Sequence, residues 1–227
     1  TEYLMDQSLT VFSFCIYGTS DKYCRGLLKN IQILSEEYSE SSIWIYGGWD
    51  VPLHYIRQYL EYPKVRYIPC INADLRLMYE RFTPIDDRRV KQCFVRDADS
   101  RIGSRDKYCI DAFLKSDKKF HIIRDHPLHG MRIMGGLWGI KSKALKDDIK
   151  IRSEFETWKK KNMHRLLEYR SDQYFLIDCI YPKIKDNVLI HSNYNFFSDE
   201  EPIKITTDGD FCGNAYDYHN GIENSSF

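Results

Sequence analysis

Apolar and β-branched residues gather in short runs, and the segments between them carry apolar residues at helical spacing. Leu9 to Tyr17 (LTVFSFCIY) is a run of the buried-strand kind and ends at the turn Gly18-Thr19-Ser20. Leu27, Leu28, Ile31 and Leu34 then recur at the period of a helix. Ser42 to Tyr46 repeats the strand pattern and closes on Gly47-Gly48, and Val51 to Leu60, opening near Pro52, predicts a short helix. Val65 to Ile71 is a third strand. Its Pro69 has no amide to donate, which suits a sheet edge or an early strand end. Ala73 to Phe82 reads as a helix with Leu75, Leu77, Met78 and Phe82 apolar. Gln92 to Val95 is a brief fourth strand running into Arg96-Asp97-Ala98-Asp99.

Further along, Ile110 to Leu114 lies on a predicted helix and Phe120 to Ile123 on a strand. Met131 to Ile140 is apolar but broken by glycines, so strand and loop are expected there. Lys141 to Lys161 is polar and lysine-rich, the pattern of a solvated helix. Its Lys159-Lys160-Lys161 run is either an outer face or a weak attraction for an anionic membrane surface. Ser171 or Asp172 can cap a helix through Tyr174, Phe175, Ile177 and Ile180 to Pro182. Val188 to Ile190 is a last short strand leading to His191, and beyond Asp199 the polar, turn-rich sequence reads as an extension or loose tail. Strands alternating with helices predict an α/β protein, Rossmann-like, with a mainly parallel central sheet and helices on both faces. One domain is expected over 1–227, with a core at 9–194 and a polar C-terminal extension at 195–227. Ligands of such sheets bind beyond the carboxyl ends of the strands, so the turn after the first strand and the acidic turn after the fourth should be neighbours.

Composition narrows the function. Hydrophobic residues make up 43% of the chain, enough for a sizeable core. Lysine plus arginine equals aspartate plus glutamate at 33 each. The basic excess of a dedicated nucleic-acid binder is therefore missing, while a small phosphate-bearing ligand needs only a local site. No apolar stretch is as long as a membrane span. Thr1 to Thr10 has no basic-then-apolar leader pattern, and the seven cysteines show no metal spacing; reduced thiols and a cytoplasmic location are the expectation.

Asp97 and Asp99, one small residue apart after a hydrophobic strand, can converge on one hard cation, Mg2+ or Mn2+, which would share itself with a substrate diphosphate. The same pair also suits a solvated turn. Asp172 either caps its helix or works on a substrate, with Gln173 beside it. Arg124-Asp125-His126 with His129 is the densest titratable cluster outside the acidic turn. Asp125 there is a candidate base near an acceptor, and a structural salt bridge explains it equally well. Tyr17 and Trp138 offer flat faces for a sugar or base, and each also suits the core.

Together these motifs resemble glycosyltransferases of the A-type fold over about Leu9 to Tyr194. They are similar to viral and bacterial nucleotide-diphospho-sugar transferases, chlorovirus capsid-glycosylating domains among them. The resemblance implies that Asp97 and Asp99 bind the metal and the donor diphosphate, that Tyr17 and Gly18 form the nucleotide turn, and that Arg81 meets the nucleotide or its phosphates. Met134-Gly135-Gly136-Leu137-Trp138-Gly139 resembles the small-residue segment lining the acceptor side, where Gly135 and Gly136 allow close approach. Ser171-Asp172-Gln173 is similar to the aspartate-glutamine motif of glycogenin-like retaining enzymes, and His191 stands where those enzymes place a third metal ligand. The segment His191-Ser192-Asn193-Tyr194 departs from them in lacking a lysine-proline-tryptophan tail. The implied activity is metal-dependent transfer from a nucleotide sugar, with UDP as the expected nucleotide, to a hydroxyl of a glycan or glycoprotein. The alternatives are a sugar-phosphate nucleotidyltransferase and a non-catalytic nucleotide-sugar-binding module. The former usually opens on a glycine-rich loop with arginine and lysine, which Gly18-Thr19-Ser20-Asp21-Lys22 does not match.

Overall fold

A computed structural model describes residues 8–141 and 149–226. Its centre is a seven-stranded sheet in the order β3-β2-β1-β4-β6-β5-β7. These strands are β1 (Leu9–Ile16), β2 (Ser42–Gly47), β3 (Val65–Pro69), β4 (Val90–Arg96), β5 (Phe120–Arg124), β6 (Leu137–Ile140) and β7 (Val188–Ser192). All neighbours run parallel except β6, which is antiparallel to both β4 and β5. The sheet is thus mainly parallel, as its buried, β-branched strands predict. Pro69 ends β3 on the sheet edge, where its missing amide costs no ladder bond.

The strand period of two sorts β1 onto two faces. Phe12, Phe14 and Ile16 pack with Leu27, Ile31 and Leu34 of α1 (Asp21–Glu37), Tyr59 of α2 (Leu53–Leu60) and Phe113 of α3 (Ser104–Lys115). Val11 and Cys15 face the other way, onto Leu77, Phe82, Trp158 of α4 (Ile151–Lys161) and Phe175 of α5 (Ser171–Phe175). Trp138 is fully buried beside Phe82 and belongs to this second core rather than to a stacking surface.

Two expectations differ, and a third is described only in part. The segment after β3 is a 3-10 helix, Leu75–Asp86, not an α-helix; it contains Pro84, which can supply no amide to an α-helical ladder. Of the lysine-rich stretch Lys141 to Lys161, α4 covers Ile151 to Lys161, and 142–148 lie outside the described residues. Neither Ser171 nor Asp172 caps α5, since the N-cap is Arg170 in a left-handed conformation (φ 69°). The helix continues through a widened turn, Leu176–Ile180, into α6 (Tyr181–Ile184), which accommodates Pro182 at its start.

The polar stretch beyond Asp199 folds back on the sheet instead of trailing away. Ile203 bridges His191, and Ile205 and Cys212 are buried against Cys109, Ile123 and Leu137. The hairpin β8 (Tyr216–His219) and β9 (Ile222–Ser225) is held by Arg101, which donates to Glu223 (2.8 and 2.5 Å) and Tyr218 (3.0 Å).

His121 on β5 and His191 on β7 meet in the core, Nε2 to Nδ1 at 2.9 Å. Phe113 stacks on one ring and Tyr108 meets the other edge-on. Burial lowers both: His191 to about 4, and His121 well below its ordinary value, helped by the nearby His191, Arg96 and Lys141. Depressed folded values mean that the unfolded chain takes up more protons below about pH 6.5, so this stability is complete above that pH and is lost as pH falls towards 4. The expected slope is about 1.4 kcal/mol per pH unit for each histidine. Urea denaturation of wild type and His191→Asn between pH 7.5 and 5 measures it. Equal slopes for the two proteins would exclude this source of acid sensitivity.

Candidate functional site

The acidic turn leaves β4 next to β1 and is held from three sides. Asn30, fully buried on α1, donates to the Ser100 carbonyl (2.7 Å) and accepts from the Ile102 amide (3.2 Å). Tyr216 of the returning C-terminal segment donates its amide to the Asp99 carbonyl (2.9 Å). Gly26 lets α1 approach closely, since a Cβ there would lie 2.6 Å from the Ala98 carbonyl oxygen. Beneath the turn, fully buried Arg96 grips Asp106 of α3 with two bonds (2.9 and 2.8 Å).

A cavity of about 230 Å³ opens over this turn, lined by Tyr17, Arg81, Asp97, Asp99, Gly135, Gly136, Asp172 and Gln173. Eight of the sequence candidates therefore share one wall. Arg81, on the 3-10 helix, is anchored by its carbonyl to Ser13 Oγ (2.6 Å). Its guanidinium joins the two acidic motifs, donating to Asp97 and to Asp172 Oδ2 (2.7 Å). Burial opposes the charge of Arg81, but Asp97 and Asp172 more than offset it and raise its pKa above the ordinary arginine value. Asp99 is raised above the usual carboxylate range by burial and by the neighbouring charge of Asp97, against a smaller opposing effect of Lys22 at 3.5 Å.

The two glycines matter by what they leave out. A Cβ on Gly135 would lie 2.5 Å from Asp172 Oδ2, and one on Gly136 would lie 2.1 Å from Asp97 Oδ2. Gln173 lines the cavity and has a buried Oε1 with no hydrogen-bond partner among the described residues.

Three candidates fall elsewhere. Gly18 adopts φ +81° and gives its amide to Asp50 Oδ1 (2.9 Å), so it shapes the turn below Tyr17 without lining the cavity. Asp125 is buried and fully used: Arg105 donates to it twice (2.7 and 2.5 Å) and the Cys212 amide once (2.9 Å). A carboxylate so engaged is poorly placed to take a proton, and the salt-bridge reading of the Arg124-Asp125-His126 cluster replaces the base. Arg124 likewise pairs with Glu200. His191 is not among the residues lining the cavity: its Nδ1 meets His121 in the core and its Nε2 is buried without a partner, so the ring does not stand beside Asp97 and Asp99 as a third metal ligand. Among the described residues no trio of histidine, cysteine, aspartate or glutamate is arranged to hold a metal.

Sequence reasoning passed over Asn30, Gly26 and Lys22, whose roles depend on which helix lies over the turn. It also passed over Tyr23, Tyr169, Arg170 and Gly213 of the cavity wall. His129, noted only as part of a cluster, lines the cavity too, and burial lowers it to about 4, leaving a neutral ring at pH 7.

No protein-family model and no curated protein sequence matches the chain. Solved structures do share its fold. The galactosyltransferase LgtC, solved with donor and acceptor sugar analogs, is 11% identical with a TM-score of 0.53, over 81% of this chain and 73% of that one. A glycosyltransferase involved in glycosylation of the major capsid of PBCV-1 is 13% identical with a TM-score of 0.51, over 83% of each chain. The 4-diphosphocytidyl-2C-methyl-D-erythritol synthase of Anaerococcus prevotii is 12% identical with a TM-score of 0.51, over 91% of this chain and 94% of that one. The fold is the A-type, Rossmann-like fold of nucleotide-sugar glycosyltransferases, as the sequence motifs imply. Among the described residues no helix is long and apolar enough to cross a membrane.

Proposed function

We propose that the protein is a glycosyltransferase moving a sugar from a nucleoside diphosphate sugar, with UDP as the nucleotide, to a hydroxyl of a glycan or glycoprotein acceptor. The observation that carries this reading is the convergence of Asp97, Asp99, Arg81, Asp172 and Gln173 on one cavity beyond the carboxyl ends of β1 and β4.

Asp97 and Asp99 fit a divalent cation. Both are hard oxygen donors, and Asp99 is raised by burial and by the charge of its neighbour, a tension that a cation between them relieves. With two protein ligands, the remaining positions suit water and diphosphate oxygens, the usual habit of Mg2+ and Mn2+. Bound there, the ion would neutralise charge on the departing diphosphate. Arg81 donates to both carboxylates at once, tying Asp97 of the acidic turn to Asp172 of the aspartate-glutamine pair. Retention at the anomeric carbon is the favoured outcome. Asp172 is tied to Arg81 and Asp125 is used up, so neither is a free carboxylate base, whereas the unpartnered Gln173 Oε1 suits positive charge developing at the sugar.

The rival is a sugar-phosphate nucleotidyltransferase, supported by the likeness to the erythritol synthase over nearly the whole chain. Against it stands the first turn, where the Gly18 amide is engaged by Asp50 and Lys22 faces Asp99. UDP release from a panel of UDP-sugars, with and without Mn2+, separates the two. Metal-stimulated release that falls at least about a hundredfold in Asp99→Asn is expected. Pyrophosphate release from CTP or UTP with a sugar phosphate would instead establish the rival, and binding without turnover of any donor would mark a non-catalytic module.

A further inference from the structure

The loop from the end of β5 to β6 brings His129 into the cavity wall, and one hydrogen bond decides what its ring can do there. The Asp125 backbone amide donates to His129 Nδ1 at 3.2 Å. An amide nitrogen can only donate, so Nδ1 carries the lone pair and a neutral ring holds its proton on Nε2. Nε2 has no hydrogen-bond partner among the described residues and is not one of the fully buried unpartnered atoms, and His129 lines the cavity.

We propose that His129 is a ligand-binding residue whose Nε2–H donates to an anionic phosphate oxygen of the nucleotide held in the cavity; this rests on the nucleoside-diphosphate reading above. A protonated Nε2 has no lone pair to offer a metal or a hydroxyl proton, which excludes ligation and general-base roles for this tautomer. Arg81 is committed to Asp97 and Asp172, and Lys22 faces Asp99, so these two cations offset wall carboxylates before any ligand arrives, and Arg170 is the wall's other cation. A neutral donor adds attraction for the diphosphate without adding a charge that repels a divalent ion. Phe211 packs edge-on to the His129 ring and keeps it in place.

Two substitutions divide the ring's two contacts. His129→Asn keeps an acceptor for the Asp125 amide but cannot reach the Nε2 position; His129→Gln carries an amide N–H near that position. Calorimetric titration with UDP is expected to show affinity about tenfold to a hundredfold weaker for His129→Asn, with most of the loss restored in His129→Gln and uridine affinity unchanged. The same ratio is expected in EDTA as in Mn2+. Equal UDP affinity in wild type and His129→Asn overturns the proposal while leaving the nucleotide reading intact. An equal loss for uridine, or a difference that disappears in EDTA, overturns it as well. Inorganic pyrophosphate bound by the wild type without UDP or uridine binding, and lost in His129→Asn, would sink the nucleotide reading and keep the phosphate-binding role. If wild type binds neither probe, both fail. Should His129→Asn not fold, imidazole nitrogen-15 shifts of the wild type decide the tautomer, and a proton on Nδ1 overturns the assignment.

Discussion

Replacing Asp106 by alanine is expected to lower the melting temperature by roughly 10 °C, from a loss of about 3–5 kcal/mol in a domain where each kcal/mol moves the midpoint by about 2–4 °C. Arg96 is fully buried and its guanidinium has no route to water. It gives two bonds to Asp106 and two more to the carbonyls of Val95 (2.8 Å) and Trp138 (3.1 Å). Without the carboxylate, a cation is left uncompensated in the core, which costs far more than the pair contributes when intact. Removing both charges should therefore rescue much of the loss, and Arg96→Met with Asp106→Leu is the comparison to make by thermal melting. A single Asp106→Ala within about 2 °C of wild type would mean that the cation finds water or another partner, contrary to the packing.

The second large effect is on activity with the fold left standing. Gly136→Ala is expected to reduce UDP-sugar turnover by about a hundredfold, the scale of losses when a reacting group is displaced by an ångström or so. The backbone at Gly136 is not in the left-handed region, so alanine suits it conformationally, and the atoms its Cβ meets are those of the Asp97 carboxylate. Asp97 must move, and with it the Arg81 bridge to Asp172. Gly103→Ala is the control, because a Cβ there meets nothing within 4 Å. Steady-state rates and melting curves for the two variants test this together. Full turnover in Gly136→Ala would show that the position of Asp97 is unimportant.

Much of this was legible in the chain because strand ends announce themselves. The hydrophobic run of β4 stops at Arg96, so Asp97 and Asp99 had to emerge at the rim of the sheet, and the run of β1 set Tyr17 beside them. Gly135 and Gly136, and Asp172 with Gln173, join the same wall from later elements. What stayed hidden depends on pairings between distant segments. In the sequence His191 reads as following a strand, but it lies within β7, which runs beside β5, and this adjacency brings its ring onto His121. Asp125 lost its expected role to Arg105, in the first turn of a helix that local periodicity cannot orient. The stretch beyond Asp199 reads as an extension or loose tail because it is polar and turn-rich. Ile205 and Cys212 nevertheless find a hollow between β5, β6 and α3 that no local pattern describes.

That returning stretch has a consequence for how the protein is made. Gly213 contributes to the cavity wall, the Cys212 amide completes the shell around Asp125, and the Tyr216 amide secures the Asp99 carbonyl. All three are translated long after β4. A nascent polypeptide can assemble most of its sheet while still on the ribosome, yet its binding chamber stays unfinished until residues 212–216 clear the exit tunnel, so ligand capture has to await the synthesis of that portion.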